Sequence, residues 1–389
     1  MRRLASSFLL CLALILCFTT VSAQEKAPAK PRARDLGVPF DGTPGAFNAI
    51  TDVKGVEVGH TTLISGSGKL KVGEGPVRTG VTAVLPRGKD SLDPVFGAWF
   101  SLNGNGEMTG TTWLEESGFL DGPVMITNTH SVGVVRDAVI AWRLKKAPPD
   151  QDGYSWSLPV VAETADDDLN DMNGFHVKPE HAFQALDTAH GGPIEEGNVG
   201  GGTGMICNEF KGGIGSASRV LDAMHGSYTV GVLVQCNYGW RSQLRIAGVP
   251  VGREIPDHTV RDNDVGSIIV VVATDAPLIP TQLKRVVRRV SLGLGRNGSF
   301  SGDGSGDIFI AFSTANPGAA SSKGIRQLTM LPNESLNPLF LATVQATEEA
   351  VINAMVAAET MKGINDFEVI ALPHDKLREA LKKYSRLAK

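Results

Sequence analysis

Residues 268–273 (IIVVVA) form an uninterrupted apolar run in which no polar residue alternates with the β-branched ones. This pattern is typical of a strand that is buried on both of its faces. A polar, turn-rich stretch precedes the run and ends in Gly266, so Ser267 lies at the mouth of the predicted strand. Taken alone, the Gly-Ser pair is an ordinary junction between a loop and a strand, because glycine tolerates any backbone angle.

Other strands are predicted where apolar residues alternate or run together between turn residues. They fall at residues 56–64, 80–85, 124–128, 159–162, 228–235 and 307–312. Apolar residues at helical spacing predict helices at 131–143, at 280–294, at 339–361 and from Asp375 close to the end of the chain. Strands with few, long helices favour stacked sheets covered by helices over a regular βαβ alternation. No domain boundary is evident between residues 36 and 389.

Two further stretches invite a ligand-binding interpretation that their context does not favour. Residues 197–204 (GNVGGGTG) lack the preceding strand and following helix of a dinucleotide fingerprint, so we expect close backbone packing or a turn that lines a site. The aspartates at 166–168 lack the ligand spacing of a calcium loop, so we expect a solvated turn there.

Composition narrows the class of protein. The chain has 389 residues, of which 45 are glycine and 42% are hydrophobic, and this fits a globular protein with many turns. The formal net charge of −4 gives no reason to expect nucleic acid or an anionic membrane surface as a partner.

The N-terminus has the pattern of a signal peptide over residues 1–23. Two arginines precede an apolar core from Phe8 to Phe18, and a small-residue cleavage site ends at Ala23. Because that core is too short to span a bilayer comfortably, we expect a secreted or periplasmic protein with no membrane association after signal removal. Residues 24–35 are rich in Pro, Ala and basic residues and are expected to be a mobile leader, with order beginning near Leu36.

Two cysteines remain after signal removal, Cys207 and Cys236. A single disulfide and two isolated buried thiols are both compatible with the sequence. Neither cysteine lies in a CxxC or Cys/His spacing, which argues against a metal site built on cysteine.

Ser267 is a candidate nucleophile only if something activates it. No Gly-x-Ser-x-Gly elbow surrounds it, and the eight histidines follow no triad spacing that we can identify. Cleavage of the Gly266–Ser267 bond would give the serine a free α-amine with an unperturbed pKa of about 7.7–8.0. In this N-terminal-nucleophile logic the hydroxyl attacks the preceding glycine carbonyl, and water then releases the new N-terminus.

Several stretches, in order over about residues 36–363, carry a resemblance to a known family. They are residues 48–53 (NAITDV), 58–62 (VGHTT), 77–82 (VRTGVT), 127–133 (TNTHSVG), 201–205 (GGTGM), 266–267 (GS) with 273–277 (ATDAP), and 305–307 (SGD). With these motifs the chain resembles the self-processing aminopeptidases that include L-aminopeptidase/D-esterase and the β-peptidyl aminopeptidases. The resemblance implies an α+β fold, a four-layer αββα sandwich of the N-terminal-nucleophile-hydrolase type.

By this resemblance Ser267 is the nucleophile exposed by autocleavage after Gly266. Cleavage would leave an α subunit of residues 24–266 and a β subunit of residues 267–389, within one catalytic domain of residues 36–389. The resemblance implies no cofactor and no metal. It also implies an assembled form that is a homo-oligomer of αβ heterodimers.

The resemblance assigns roles to four more residues. Ser305 and Asp307 would help to orient and deprotonate Ser267, which is plausible because side chains at i and i+2 share a face of a strand. Without Ser267, that segment would be interpreted as a plain turn. Asn237 would donate to the oxyanion, although an asparagine that closes a turn before a glycine is an equally good interpretation. Glu163 would bind the free amino group of the substrate, which an aminopeptidase must recognise to distinguish chain ends.

One position departs from the family pattern. Family members place a tyrosine where this chain has Ala165, followed by a glycine-containing turn where it has aspartates. If that tyrosine contributes to the oxyanion site, we expect a slower enzyme or different substrates.

The sequence predicts an exported, self-processing serine aminopeptidase that releases N-terminal residues from short peptides, amides or esters. Two alternatives stay open. One is an amidohydrolase with another amide substrate, and the other is a binding protein of the same fold that does not cleave itself.

Overall fold

The computed structural model describes residues 30–146, 156–261 and 265–388. The predicted signal peptide and residues 24–29 of the predicted leader lie outside the described residues. From Pro31 onward the contacts form one compact unit. Within the described ranges, no helix combines the length and the apolar character that a bilayer span requires.

Strands and helices alternate irregularly along the chain. The strands are β1 (Glu57–Ser65), β2 (Val77–Leu85), β3 (Val95–Gly104), β4 (Phe119–Leu120), β5 (Val124–Thr127), β6 (Val160–Glu163), β7 (Ile206–Cys207), β8 (Phe210–Lys211), β9 (Gly213–Val220), β10 (Thr229–Asn237), β11 (Gly266–Thr274), β12 (Ser305–Ser313), β13 (Met361–Lys362) and β14 (Glu368–Val369). The α-helices are α1 (Thr111–Ser117), α2 (Val132–Lys146), α3 (Pro179–Asp187), α4 (Val251–Glu254), α5 (Pro280–Val287), α6 (Val290–Arg296), α7 (Asn337–Val356) and α8 (His374–Lys383).

Two sheets pack face to face and are covered on both outer sides by helices. One sheet has the order β1-β2-β5-β6, and the other has the order β4-β3-β12-β11-β10-β9. Apolar side chains of both sheets form the core between them. Helices α2 and α3 cover the smaller sheet, and α5 and α7 cover the larger one. The layers therefore follow the predicted αββα order.

Strand β11 lies in the interior of the larger sheet, parallel to β12 and antiparallel to β10. Ile268, Val270 and Val272 face the helix layer, whereas Ile269 and Val271 face the smaller sheet. Both faces are buried, which confirms the interpretation of the apolar run. By the same alternation, Ser267 lies on the face that looks toward the smaller sheet.

The glycine-rich stretch is packed, as expected, and forms no dinucleotide fingerprint. Gly200–Gly202 is a buried turn of 3₁₀-helix between the two sheets. A Cβ added at Gly201 would lie 2.2 Å from the Gln235 side-chain oxygen, and one at Gly202 would lie 2.5 Å from the Ile214 nitrogen. The glycines are therefore needed for close approach of the backbone.

Two helix predictions were wrong in their bounds. The helix expected over 280–294 is broken at Arg288 and Arg289, because α5 packs on strands β3 and β12 while α6 packs on α7. The helix expected over 339–361 ends at Val356, since Met361 pairs with Val369 in a small sheet. Leu341, which the helical pattern predicts to lie on the apolar face of that helix, is exposed instead.

Order begins earlier than Leu36, contrary to expectation. Arg32 forms an ion pair with Glu196, and Arg34 forms one with Glu349, both at 2.7 Å. Ala33 between them is fully buried. The composition of this stretch suggested mobility because no acidic partner lies nearby in sequence. The two glutamates that bind these arginines lie more than 160 residues away.

Candidate active site

A cavity of about 670 Å³ opens where the two sheets meet at the start of β11. Its walls come from the end of β6, the end of β10, the start of β11 and the loops around them. The lining residues are Asn105, Gly106, Glu107, Thr129, Glu163, Ala165, Asp167, Asp168, Asn237, Arg261, Val265, Gly266, Ser267 and Gly304. Four of the predicted site residues therefore lie around one cavity: Glu163, Asn237, Gly266 and Ser267.

Ser267 and Gly266 are joined in one strand, so the structure is that of the uncut chain. Ser267 is 7% exposed and borders the cavity. Gly266 has φ +111°, and a Cβ at this position would lie 1.9 Å from the Asn237 carbonyl oxygen. Only glycine fits here, for reasons of both backbone angle and space.

Asn237 lies opposite Ser267 in the ladder between β10 and β11. Its side-chain oxygen accepts a hydrogen bond from the Ile206 N–H at 2.7 Å, and its Nδ2 donates to the Ala165 carbonyl at 2.8 Å. These two contacts fix which way the carboxamide points. The amide nitrogen carries a second hydrogen, and the residue borders the cavity.

Glu163 ends β6 and is almost fully buried, yet its carboxylate borders the cavity. One of its oxygens accepts the Glu107 N–H at 2.8 Å, and the other accepts the Thr129 hydroxyl. Burial raises the pKa of Glu163, although these hydrogen bonds act in the opposite direction. The result is a fixed acceptor group that faces a space open to ligand.

Ser305 and Asp307 do not line this cavity. Both are fully buried at the start of β12, and the Ser305 hydroxyl donates to an Asp307 carboxylate oxygen at 2.6 Å. The two side chains share a face of the strand, as expected from their spacing. Ser305 is the backbone neighbour of Gly266, and Gly306 is the backbone neighbour of Ser267. The pair therefore lies beside the Gly266–Ser267 bond rather than in front of it.

The fold and the cavity can now be compared with known proteins. The model of peptidase family S58 matches residues 48–369, which is more than half of the chain. The chain belongs to peptidase family S58.

Relatives of known name agree with this assignment. A beta-peptidyl aminopeptidase BapA of Sphingosinicella microcystinivorans is 58% identical over 374 residues, which cover 92% of this chain and 93% of the relative. A protein of the same name from Sphingosinicella xenopeptidilytica is 50% identical and covers 91% of this chain and 92% of the relative. This S58 protein is therefore a hydrolase of the aminopeptidase type, acting on peptide bonds.

A solved structure supports the fold. The L-aminopeptidase D-Ala-esterase/amidase of Ochrobactrum anthropi, described as a prototype for the serine aminopeptidases and a variant of the Ntn hydrolase fold, matches with a TM-score of 0.86 and 49% identity. The match covers 92% of this chain and 100% of that chain. The expected α+β fold of the N-terminal-nucleophile type is thus confirmed.

The loop after β6 of this S58 peptidase differs from the solvated turn expected for its aspartates. Asp166 is buried, and its carboxylate accepts hydrogen bonds from the side-chain amides of Asn128 and Asn170. Asp168 forms an ion pair with Arg261 at 2.7 Å. The expectation fails for Asp166 because one of its amide partners, Asn128, comes from another part of the chain.

Thr129, Arg261 and Glu107 are among the cavity residues to which sequence reasoning assigned no role. Thr129 falls within residues 127–133, a stretch that resembles the family, so the sequence did contain an indication that it belongs to the site. Nothing in the sequence indicated Arg261 or Glu107. Arg261 lies in a polar stretch and pairs with Asp168, and Glu107 contributes only its backbone N–H to Glu163. Within the described ranges, no group of three or more His, Cys, Asp or Glu side chains is placed to hold a metal ion.

Cys207 and Cys236 form a disulfide with a Cα–Cα distance of 5.5 Å. The bridge joins β7 to β10 directly beside Asn237 and Ile206, which share a hydrogen bond. Of the two states that the sequence left open, the structure has the bonded one.

Proposed function

We propose that this S58 peptidase processes itself at the Gly266–Ser267 bond and then releases N-terminal residues from short peptides, amides or esters. The observation that carries the proposal is that Ser267, Asn237 and the buried carboxylate of Glu163 border one cavity. A cavity of this size suits a small ligand with few polar contacts.

Self-processing would begin with attack of the Ser267 hydroxyl oxygen on the Gly266 carbonyl carbon. The C–N bond breaks, the nitrogen of Ser267 takes up the hydroxyl proton, and an ester links Gly266 to the serine oxygen. Water then hydrolyses the ester, leaving a carboxylate on Gly266 and a free α-amine on Ser267. The left-handed backbone of Gly266 supports this step because no side chain shields its carbonyl.

Hydrolysis of a substrate would use the same serine. The free α-amine accepts the hydroxyl proton as the oxygen attacks the substrate carbonyl, and the second N–H of the Asn237 amide donates to the oxyanion. The departing amine takes up the proton, and water resolves the acyl-enzyme. Ser305 and Asp307, which are hydrogen-bonded beside the scissile bond, would keep the serine and its amine in register.

Glu163 would select substrates with a free amino group. A buried carboxylate fixed by Thr129 and the Glu107 N–H presents a charged acceptor, and an ammonium group is its natural partner. The two Sphingosinicella relatives are named beta-peptidyl aminopeptidases, so peptides with an N-terminal β-amino acid belong among the test substrates.

Export and assembly are also part of the proposal. Residues 1–23 have the pattern of a signal peptide, and the Cys207–Cys236 disulfide fits the oxidising compartment that a secreted or periplasmic protein enters. The homo-oligomer of αβ heterodimers stays a prediction, which mass measurement of the native protein checks.

Two assays test this function. On a denaturing gel the purified protein should run as two bands of about 26 and 13 kDa, scaled from the 41.2 kDa of the 389-residue chain. A single uncut band with no hydrolysis would indicate a binding protein. The processed protein should hydrolyse peptides with a free N-terminus and leave their N-acetylated forms intact, whereas equal rates on both would indicate a general amidohydrolase.

A further inference from the structure

Asp166 is a buried carboxylate that the proposed chemistry does not use. It does not line the cavity, and it is only 1% exposed. Burial raises the pKa of Asp166 to about 6, although hydrogen bonds from Thr79, Asn170 and Asn128 act in the opposite direction. Burying a carboxylate costs free energy of folding, so its presence calls for a reason.

The contacts of Asp166 join two parts of the chain. One carboxylate oxygen accepts from Asn128 Nδ2 at 3.1 Å, and the other accepts from Asn170 Nδ2 at 3.0 Å. Its main-chain carbonyl accepts the Leu169 and Asn170 N–H groups at 3.1 and 2.9 Å. The side chain thus ties the loop after β6 to the end of β5, and the backbone closes a turn in the same loop.

The residue before Asp166 holds the oxyanion amide. The Ala165 carbonyl accepts the Asn237 Nδ2–H at 2.8 Å, and Ile206 holds the other end of that carboxamide. The position of the Ala165 carbonyl therefore decides where the second N–H of Asn237 points. Glu163 is held separately, by Thr129 and the Glu107 N–H.

We propose that Asp166 is a positioning residue for the oxyanion site, acting through the Ala165 carbonyl on Asn237. The inference rests on the proposed function, in which Ser267 is the nucleophile and Asn237 the oxyanion donor. Asp166 touches no substrate. It affects the rate of acyl transfer and leaves recognition of the amino group to Glu163.

An Asp166→Asn variant tests this. The neutral amide can accept through one oxygen only, so one of the two amide contacts is lost and the Ala165 carbonyl is less firmly held. We expect kcat per processed molecule to fall about 10- to 100-fold, less than the loss of the oxyanion donor itself, with KM within about threefold. Self-cleavage should slow in parallel, because it passes through the same kind of oxyanion.

The matched control is Asp171→Asn. Asp171 is a second buried carboxylate, five residues farther along the chain, and it accepts hydrogen bonds from the Gly73 N–H and His176 at 2.7 and 2.8 Å. Its contacts lead away from Asn237. We expect lower thermal stability for this variant but a kcat within about twofold of the unmodified enzyme.

The decisive arm is a double-mutant cycle with Asn237→Ala. If Asp166 acts through Asn237, Asp166→Asn should change kcat by less than about twofold in the Asn237→Ala background. Full additivity of the two effects, or an unchanged kcat in the single variant, would overturn the inference. Ser267→Ala in the same assay separates this outcome from failure of the proposed function, since residual hydrolysis by that variant would refute the nucleophile itself. Should Asp166→Asn not fold, Asn170→Ala removes one partner of the carboxylate and is subject to the same cycle.

Discussion

Strands β11 and β12 are parallel neighbours of equal length that begin at the same sheet edge, and each brings a serine and a glycine to it. Ser267 of β11 borders the cavity, follows a glycine in left-handed conformation and faces Asn237 across the ladder. Ser305 of β12 is enclosed and donates to Asp307. The surroundings of a serine, more than its sequence neighbours, therefore decide which of the two is placed to attack.

The largest difference between the two strands should appear on removing each hydroxyl. Ser267→Ala should abolish both self-cleavage and hydrolysis, with a loss of at least about 10⁴-fold in kcat, because the Ser267 hydroxyl is the attacking group in both proposed reactions. Ser305→Ala should retain measurable processing and a larger residual kcat, since Ser305 acts beside the bond. Steady-state kinetics and gels of both variants check this. Equal and complete loss in both would remove the distinction between the strands.

Substitution of Asn237 on β10, the antiparallel partner of β11, should give the next largest effect. Asn237→Ala should lower kcat about 100- to 1000-fold while KM changes little, because the donor is needed only when the oxyanion forms. The kinetics of the processed variant against a free-amine peptide measure both constants. An increase confined to KM would show that Asn237 binds the ground state instead.

Gly266, the residue before Ser267, tests whether backbone geometry at the start of β11 controls self-cleavage. Gly266→Ala should slow self-cleavage about 100-fold or more, because its Cβ would lie 1.9 Å from the Asn237 carbonyl and displace the scissile bond. Gly133→Ala is the control, since Gly133 lies in α2 and a Cβ there meets nothing within 4 Å. A time course on denaturing gels compares them, and processing of Gly266→Ala at the normal rate would contradict the geometry.

Substitution of Glu163 should give the smallest of these effects, and the effect should be on substrate binding. Glu163→Gln should lower kcat/KM for free-amine substrates about 10- to 100-fold, which is the range expected for loss of a hydrogen bond to a charged group. The kcat/KM for N-acetylated peptides should stay as low as in the unmodified enzyme. Gly133→Ala again serves as the unaffected control.

The raised pKa of Glu163 adds a pH dependence to this prediction. Only the ionised carboxylate attracts an ammonium group, so affinity should fall as pH decreases through that pKa, at a higher pH than for an exposed glutamate. Competitive inhibition by an amino alcohol, which has no carbonyl to attack, measures binding without the titration of the Ser267 amine. A pH-independent inhibition constant would show that another group binds the amine.

Much of the fold was predictable from the sequence because the local pattern of apolar and polar residues determines it. The apolar run at 268–273 is a doubly buried strand, as its pattern predicted. Ser267, Asn237 and Glu163, which the resemblance singled out, line one cavity. What failed depended on partners distant in sequence. The break at Arg288 follows from two helices packing on different elements, and the burial of Asp166 depends on the Asn128 amide from another segment. The anchoring of Arg34 likewise requires Glu349, which no local pattern reveals.

The central claim is that Ser267 becomes the first residue of its own polypeptide. N-terminal sequencing of the purified protein, with intact masses of its fragments, tests this most directly. The account predicts a new N-terminus at Ser267 in the active protein and its absence in the Ser267→Ala variant. A fully active preparation whose chain runs uncut through Gly266 and Ser267 would contradict it.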